Sequence, residues 1–78
     1  MQQALTARAV WPNGAHLDIW LSDNSTIRVS RSITSRIRNA TDDQLRNFQL
    51  LGRGTGIHWP DIDEDLSTHS LITLAEKR

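Results

Sequence analysis

The sequence predicts an α+β fold: a small antiparallel β-meander of three strands covered by two short helices, followed by a short late strand and a C-terminal helix. Three observations carry this reading. Residues 16–21 and 26–30 alternate apolar and polar side chains with a period of two, the signature of strands buried on one face. Turn-forming residues separate these runs: Pro12-Asn13-Gly14 before the first and Asp23-Asn24-Ser25 before the second. Thr41-Asp42-Asp43-Gln44 then matches a capping box just ahead of Leu45 and Phe48. At 78 residues the chain is read as a single domain, 1–78. A domain of this size buries about 60–65% of the surface its unfolded chain exposes.

The first strand, over residues 4 to 11, has the loosest pattern, because its alanines and Arg8 interrupt the alternation. The second is clear: Leu17, Ile19 and Leu21 share one face, with His16, Asp18 and Trp20 on the other. In the third, Ile27 and Val29 face the core while Thr26, Arg28 and Ser30 face out. A meander with one apolar face needs a cover. Ile33, Ile37 and Ala40 supply one at helical spacing, with Ser30 or Ser32 as N-cap. A second short helix buries Leu45 and Phe48, and residues 49 to 51 read as a short strand.

The next stretch is the densest in residues with restricted physical meaning. Gly52-Arg53-Gly54-Thr55-Gly56 reads as a tight turn permitting positive φ or close backbone approach. Ile57 and Trp59 then point one way and His58 the other, with Trp59 expected in the core. Pro60 lacks an N–H and should end that strand. Asp61, Asp63, Glu64 and Asp65 run directly into an expected terminal helix beginning at Leu66. Two readings stand for these acids: they cap that helix and offset its dipole, or they form a recognition patch.

Gly54, Gly56, His58, Trp59 and Pro60, followed by Asp63-Glu64-Asp65, resemble the C-terminal signature of a bacterial family, domain of unknown function 2442. Its members read G-x-G-x-G-I-H-W-P-x-x-D-E-D, then a hydrophobic residue and Ser. The upstream run Asn39-Ala40-Thr41, with Gln44, Asn47, Leu50 and Gly52, is similar to the family's N-A-T-x-x-Q-x-x-N-x-x-L-x-G segment. The similarity spans roughly residues 15 to 72. The family carries no established activity. The resemblance implies a neighbouring small protein of unknown function, in an arrangement like a toxin–antitoxin pair.

Composition narrows the function classes. There is no cysteine, so neither a disulfide framework nor a thiolate zinc site is expected, and a reducing cytoplasm fits. No apolar run approaches the roughly 20 residues that span a membrane, and no signal-like segment reads at the start. Nine basic and nine acidic residues cancel in sum but not in placement. Arg28, Arg31, Arg36 and Arg38 lie in a stretch without acids, and the four late acids lie in one without bases. Each patch neutralises the other across a small surface, or one of them steers a partner or self-association.

The constellations for catalysis and metal binding are weak. Asp61, Asp63 and Asp65 have the spacing that opens a calcium loop, but its sixth and twelfth positions here are Leu66 and Ile72. A looser divalent site from Asp63, Asp65 and His58 is the residual metal reading, and no metal or cofactor is expected. The glycine run lacks the Gly-Lys-Ser/Thr ending of a phosphate loop. Ser67, His69 and Ser70 are close in sequence, but adjacent helical side chains diverge. A non-enzymatic, cytoplasmic protein-binding or regulatory module is the reading reached, antitoxin-like or an inhibitor of a defence complex. Trp20, on the face opposite the core, is its interface candidate. The alternative is a nucleic-acid-binding or autoregulatory module using the four arginines.

Overall fold

Two antiparallel three-stranded sheets, each a simple meander, carry the chain, and the computed structural model describes residues 5–76. The first sheet holds β1 (Ala7–Asn13), β2 (His16–Leu21) and β3 (Thr26–Ser30) in that order. The second holds β4 (Gln49–Leu51), β5 (Gly56–Trp59) and β6 (Glu64–Ser67). Helices α1 (Ser35–Asn39) and α2 (Asp42–Arg46) link the sheets, and α3 (Thr68–Glu76) follows the last strand. The α+β class and the covered meander follow the expectation, and the expected short strands at 49–51 and ending at Trp59 are joined by a third, β6.

The expected first-strand start at Ala4 lies outside the described residues. Its far end runs past Trp11 to Asn13, so Pro12 sits in the strand opposite Leu17 and is buried. An edge strand accepts proline because one side of its ladder is unpaired. The turn therefore tightens onto Gly14, whose φ of +61° suits glycine. The β2–β3 turn uses Asn24 at φ +71°, with the Asp23 carboxylate accepting from the Ser25 backbone N–H. A bulge between Ala7 and Ala9 shifts the β1 register.

Helix α1 starts later than either serine would place it. Thr34 is its N-cap, its hydroxyl accepting from the Ile37 N–H at 3.1 Å. Ser30 instead accepts from the Ser32 N–H and forms a turn. The capping box of α2 is present in both directions. The Thr41 hydroxyl accepts from the Gln44 N–H, and the Gln44 side chain accepts from the Thr41 N–H.

The largest departure concerns the acidic run. Glu64–Ser67 is a strand rather than the start of a helix, pairing His58 with Asp65 and Ile57 with Leu66. Asp63, at φ +52°, makes the reversal after Pro60. Helix α3 begins at Thr68, and the Ser67 hydroxyl takes the N-cap bond, accepting from the Ser70 N–H at 3.0 Å. Glu64 and Asp65 are thus drawn into a strand by pairing with Trp59 and His58 across the turn that holds Asp61 and Asp63, and the acids stand apart from the helix.

One hydrophobic cluster joins both sheets: Val10, Leu17, Ile19, Leu21, Val29, Ile37, Leu45, Ile57, Trp59 and Leu71 are among its members. Trp59 is completely buried, as expected, and its indole N–H donates to the Leu45 carbonyl at 3.0 Å. That bond satisfies a carbonyl in the last turn of α2 that the helix leaves without a partner. The glycine turn knits the sheets together. A Cβ on Gly54, at φ +95°, would stand 2.2 Å from the Ala7 carbonyl oxygen. The buried Thr68 hydroxyl donates to the Gly54 carbonyl, and the Thr68 N–H to that of Thr55.

Candidate functional site

Strand β3 is the outer edge of the first sheet, and its backbone polarity follows from the bonds at its two ends. Leu21 N–H donates to the Ser25 carbonyl, and Arg31 N–H donates to that of Ala15. Antiparallel ladders alternate strictly between bonded and non-bonded pairs. With Ile19 opposite Ile27 and Leu17 opposite Val29, the inward-bonded residues are Ser25, Ile27, Val29 and Arg31. Thr26, Arg28 and Ser30 therefore turn their N–H and C=O groups away from β2. Among the described residues, only the Ser30 carbonyl of this outward set finds a backbone partner, the Ile33 N–H.

A groove of about 580 Å³ runs along this edge. It is lined by all five residues of β3, by His16 and Ile33, and by Leu74 and Ala75 of α3. Leu74 is 44% exposed there, one of four large hydrophobic side chains in the described chain left so open. The groove thus combines unpaired backbone donors and acceptors with an apolar helical wall. Those are the two things an added strand needs.

The outer face of the sheet beside the groove carries a charged row. Trp11, Asp18 and Arg28 are opposite one another on β1, β2 and β3. Asp18 is buried, and Arg28 grips it with two bonds, Nε to Oδ1 at 2.8 Å and Nη2 to Oδ2 at 3.2 Å. Asn13 donates a third bond to the same carboxylate at 2.9 Å. The Arg28 guanidinium is the main reason the Asp18 carboxyl sits below the usual carboxylate range, against the opposing push of burial. No buried side-chain polar atom is left without a partner among the described residues.

A family model described as "Protein of unknown function (DUF2442)" matches residues 7–77. The chain belongs to the DUF2442 family. No curated protein matches it. A crystal structure of a protein of unknown function from Rhodospirillum rubrum is similar, at 27% identity and a TM-score of 0.78. That similarity covers 91% of this chain and 88% of the other.

The family's signature residues are placed as follows. Gly54 makes the close approach to β1, Gly56 opens β5, and Trp59 fills the core. His58 points outward and its Nδ1 pairs with the Asp65 carboxylate across the β5–β6 hairpin. Pro60 is exposed at the turn. Asp61 accepts from the Asn47 side chain, and Asp63, 92% exposed, has Arg36 donating to its backbone carbonyl. Glu64 lies half-buried in β6. Among the described residues no three His, Asp or Glu side chains converge as a metal-ligand set. Ser67 bonds Ser70 rather than His69.

The four arginines do not assemble into one open stripe. Arg28 holds Asp18; Arg31 holds Asp42 and donates to the Ala40 carbonyl; Arg36 holds the Asp63 turn. Arg38 is exposed and makes no ion pair with a described residue. Trp20 is half-buried, with the Arg8 guanidinium stacked 4.3 Å from its ring centre and Arg8 in turn donating to Asn24. The sequence pattern does not mark Leu74 or the outward parity of β3 as special. The signal available was that no strand follows β3 in the meander, which makes it an edge.

Proposed function

We propose that this chain is a non-catalytic protein-binding module that recognises a partner by strand addition along β3. The observation that supports this most is the open edge itself: outward N–H groups of Thr26, Arg28 and Ser30 beside a groove walled by Leu74, Ala75 and Ile33. Main-chain bonds to such an edge give affinity, and alternate side-chain pockets give selectivity. A small cytoplasmic partner, of the antitoxin-target or defence-complex kind, agrees with this mode of binding. No described helix is long and apolar enough to cross a membrane.

The nucleic-acid reading loses support, because three of its four arginines already hold acidic or carbonyl partners within the chain. Phosphate binding through Arg38 alone would be weak and salt-sensitive. The acidic hairpin is a lesser surface in the same reading, since Asp61 and Asp65 are engaged locally.

The test is site-specific photocrosslinking in the native host. A benzophenone side chain replaces Leu74 in one variant and Arg38 in another. The expected result is a cross-link from position 74 into one extended segment of another protein. Cross-linking at position 38 only, or to nucleic acid, contradicts the proposal.

A further inference from the structure

The strand that β3 accepts has a chemistry that the edge specifies, and the inference below rests on the strand-addition reading. Arg28 lies at the centre of β3, in a row that runs Trp11, Asp18, Arg28 across the outer face. Asp18 engages Nε and Nη2 of the guanidinium, so Nη1 has no partner among the described residues. The Arg28 side chain is 55% exposed. Arginine presents five donors in a rigid fork, and one carboxylate occupies only one side of it. The next strand in the sheet would place a side chain directly opposite Arg28, within reach of that free side.

Its neighbours are fixed by the same pleat. Side chains one residue before and after that position turn to the other face of the sheet. There they meet Ile27, Val29, Ile33 and Leu74, an apolar set. We infer that the groove takes an extended segment of a protein partner carrying a carboxylate opposite Arg28, flanked on each side by apolar residues. The cross-sheet row would then alternate in charge: Asp18, Arg28, and the partner's acid.

A second copy paired through the same β3 edge fits less well. Its own edge offers only Thr26, Arg28 and Ser30 at the outward-bonded positions. No register of β3 against itself therefore sets an acid opposite Arg28, and the register centred on Arg28 sets two arginines face to face. Like charges directly opposite are destabilising.

The experiment uses the full chain labelled with nitrogen-15 and three synthetic capped heptapeptides, Thr-Thr-Val-Glu-Val-Thr-Thr and its Gln and Lys counterparts at the central position. Amide shifts of Thr26 and Arg28 report occupancy of the edge as each peptide is titrated to millimolar concentration. The Glu peptide is expected to bind about tenfold more tightly than the Lys peptide, with Gln between them. That order should flatten in the double variant Asp18→Asn, Arg28→Gln, which keeps a side-chain hydrogen bond across β2 and β3. Because the main comparison alters only the peptide, it does not depend on that variant folding. Equal binding of all three peptides at the same amides overturns the acid assignment while leaving strand addition standing. No response of these amides to any peptide overturns both. Shifts that track protein concentration without peptide overturn the assignment in favour of a second copy.

Discussion

The indole N–H of Trp59 donates to the carbonyl of Leu45 at 3.0 Å, tying the last turn of α2 to the second sheet through the centre of the core. Both residues are fully buried, so the bond has no water to replace it. Truncating a buried Trp to Ala costs roughly 3–5 kcal/mol, a large share of what a small domain has. Trp59→Ala is therefore expected to unfold the chain or nearly so in a urea melt. Trp20→Ala removes a half-buried ring and its stacking on Arg8, and is expected to cost less than half as much. Equal losses would place Trp20 in the core as well.

Gly54 and Gly14 both have positive φ, but only Gly54 faces a wall. A Cβ at Gly54 meets the Ala7 carbonyl at 2.2 Å, whereas one at Gly14 meets nothing within 4 Å. Gly14→Ala should cost about 1–2 kcal/mol from backbone strain alone. Gly54→Ala adds the displacement of β1 and should exceed that by a further 1–3 kcal/mol or so. Chemical denaturation of both variants, compared at the same temperature, checks the order.

The acids of the β5–β6 hairpin and the cap of α3 are separable. Ser67→Ala removes the bond to the Ser70 N–H and should cost about 1 kcal/mol. Converting Asp61, Asp63, Glu64 and Asp65 together to Asn or Gln leaves that cap in place. It should move the melting temperature less than Ser67→Ala does. The reverse order in thermal melts would show that these acids support the helix after all.

Much of this fold is written in local signals. The period-two runs of β2 and β3 and the capping box of α2 each sit within a few residues, so neighbouring side chains alone define them. Glu64–Ser67 is different. Its sequence suits a helix start as well as a strand, and the decision comes from pairing with His58 and Ile57 across the Pro60 turn. Pro12 likewise looks like a turn until the strand proves to be an edge. The groove was beyond reach for the same reason, since Leu74 and Thr26 are brought together only when α3 folds back beside β3.

Acid should weaken the Asp18–Arg28 pair in a predictable direction. The Asp18 carboxyl is held below its ordinary value by the Arg28 guanidinium, so the folded state binds its proton less readily than the unfolded chain does. The stability this contributes is fully present above the unfolded value of about 3.9, and is lost as pH falls through the lower folded value. Melts between pH 6 and 2 should show a component of destabilisation below about pH 4 that is absent in Asp18→Asn. An identical pH profile in the two proteins would mean that the pair contributes nothing in solution.

The central claim, that β3 presents an open edge ready to accept a strand, is tested most directly by amide hydrogen exchange along that strand in the free chain. The N–H groups of Ile27 and Val29, turned toward β2, should exchange slowly. Those of Thr26 and Arg28, turned into the groove, should exchange at rates approaching those of solvent-exposed backbone. Uniform slow exchange at all four positions would mean that the edge is already filled, and would contradict the account.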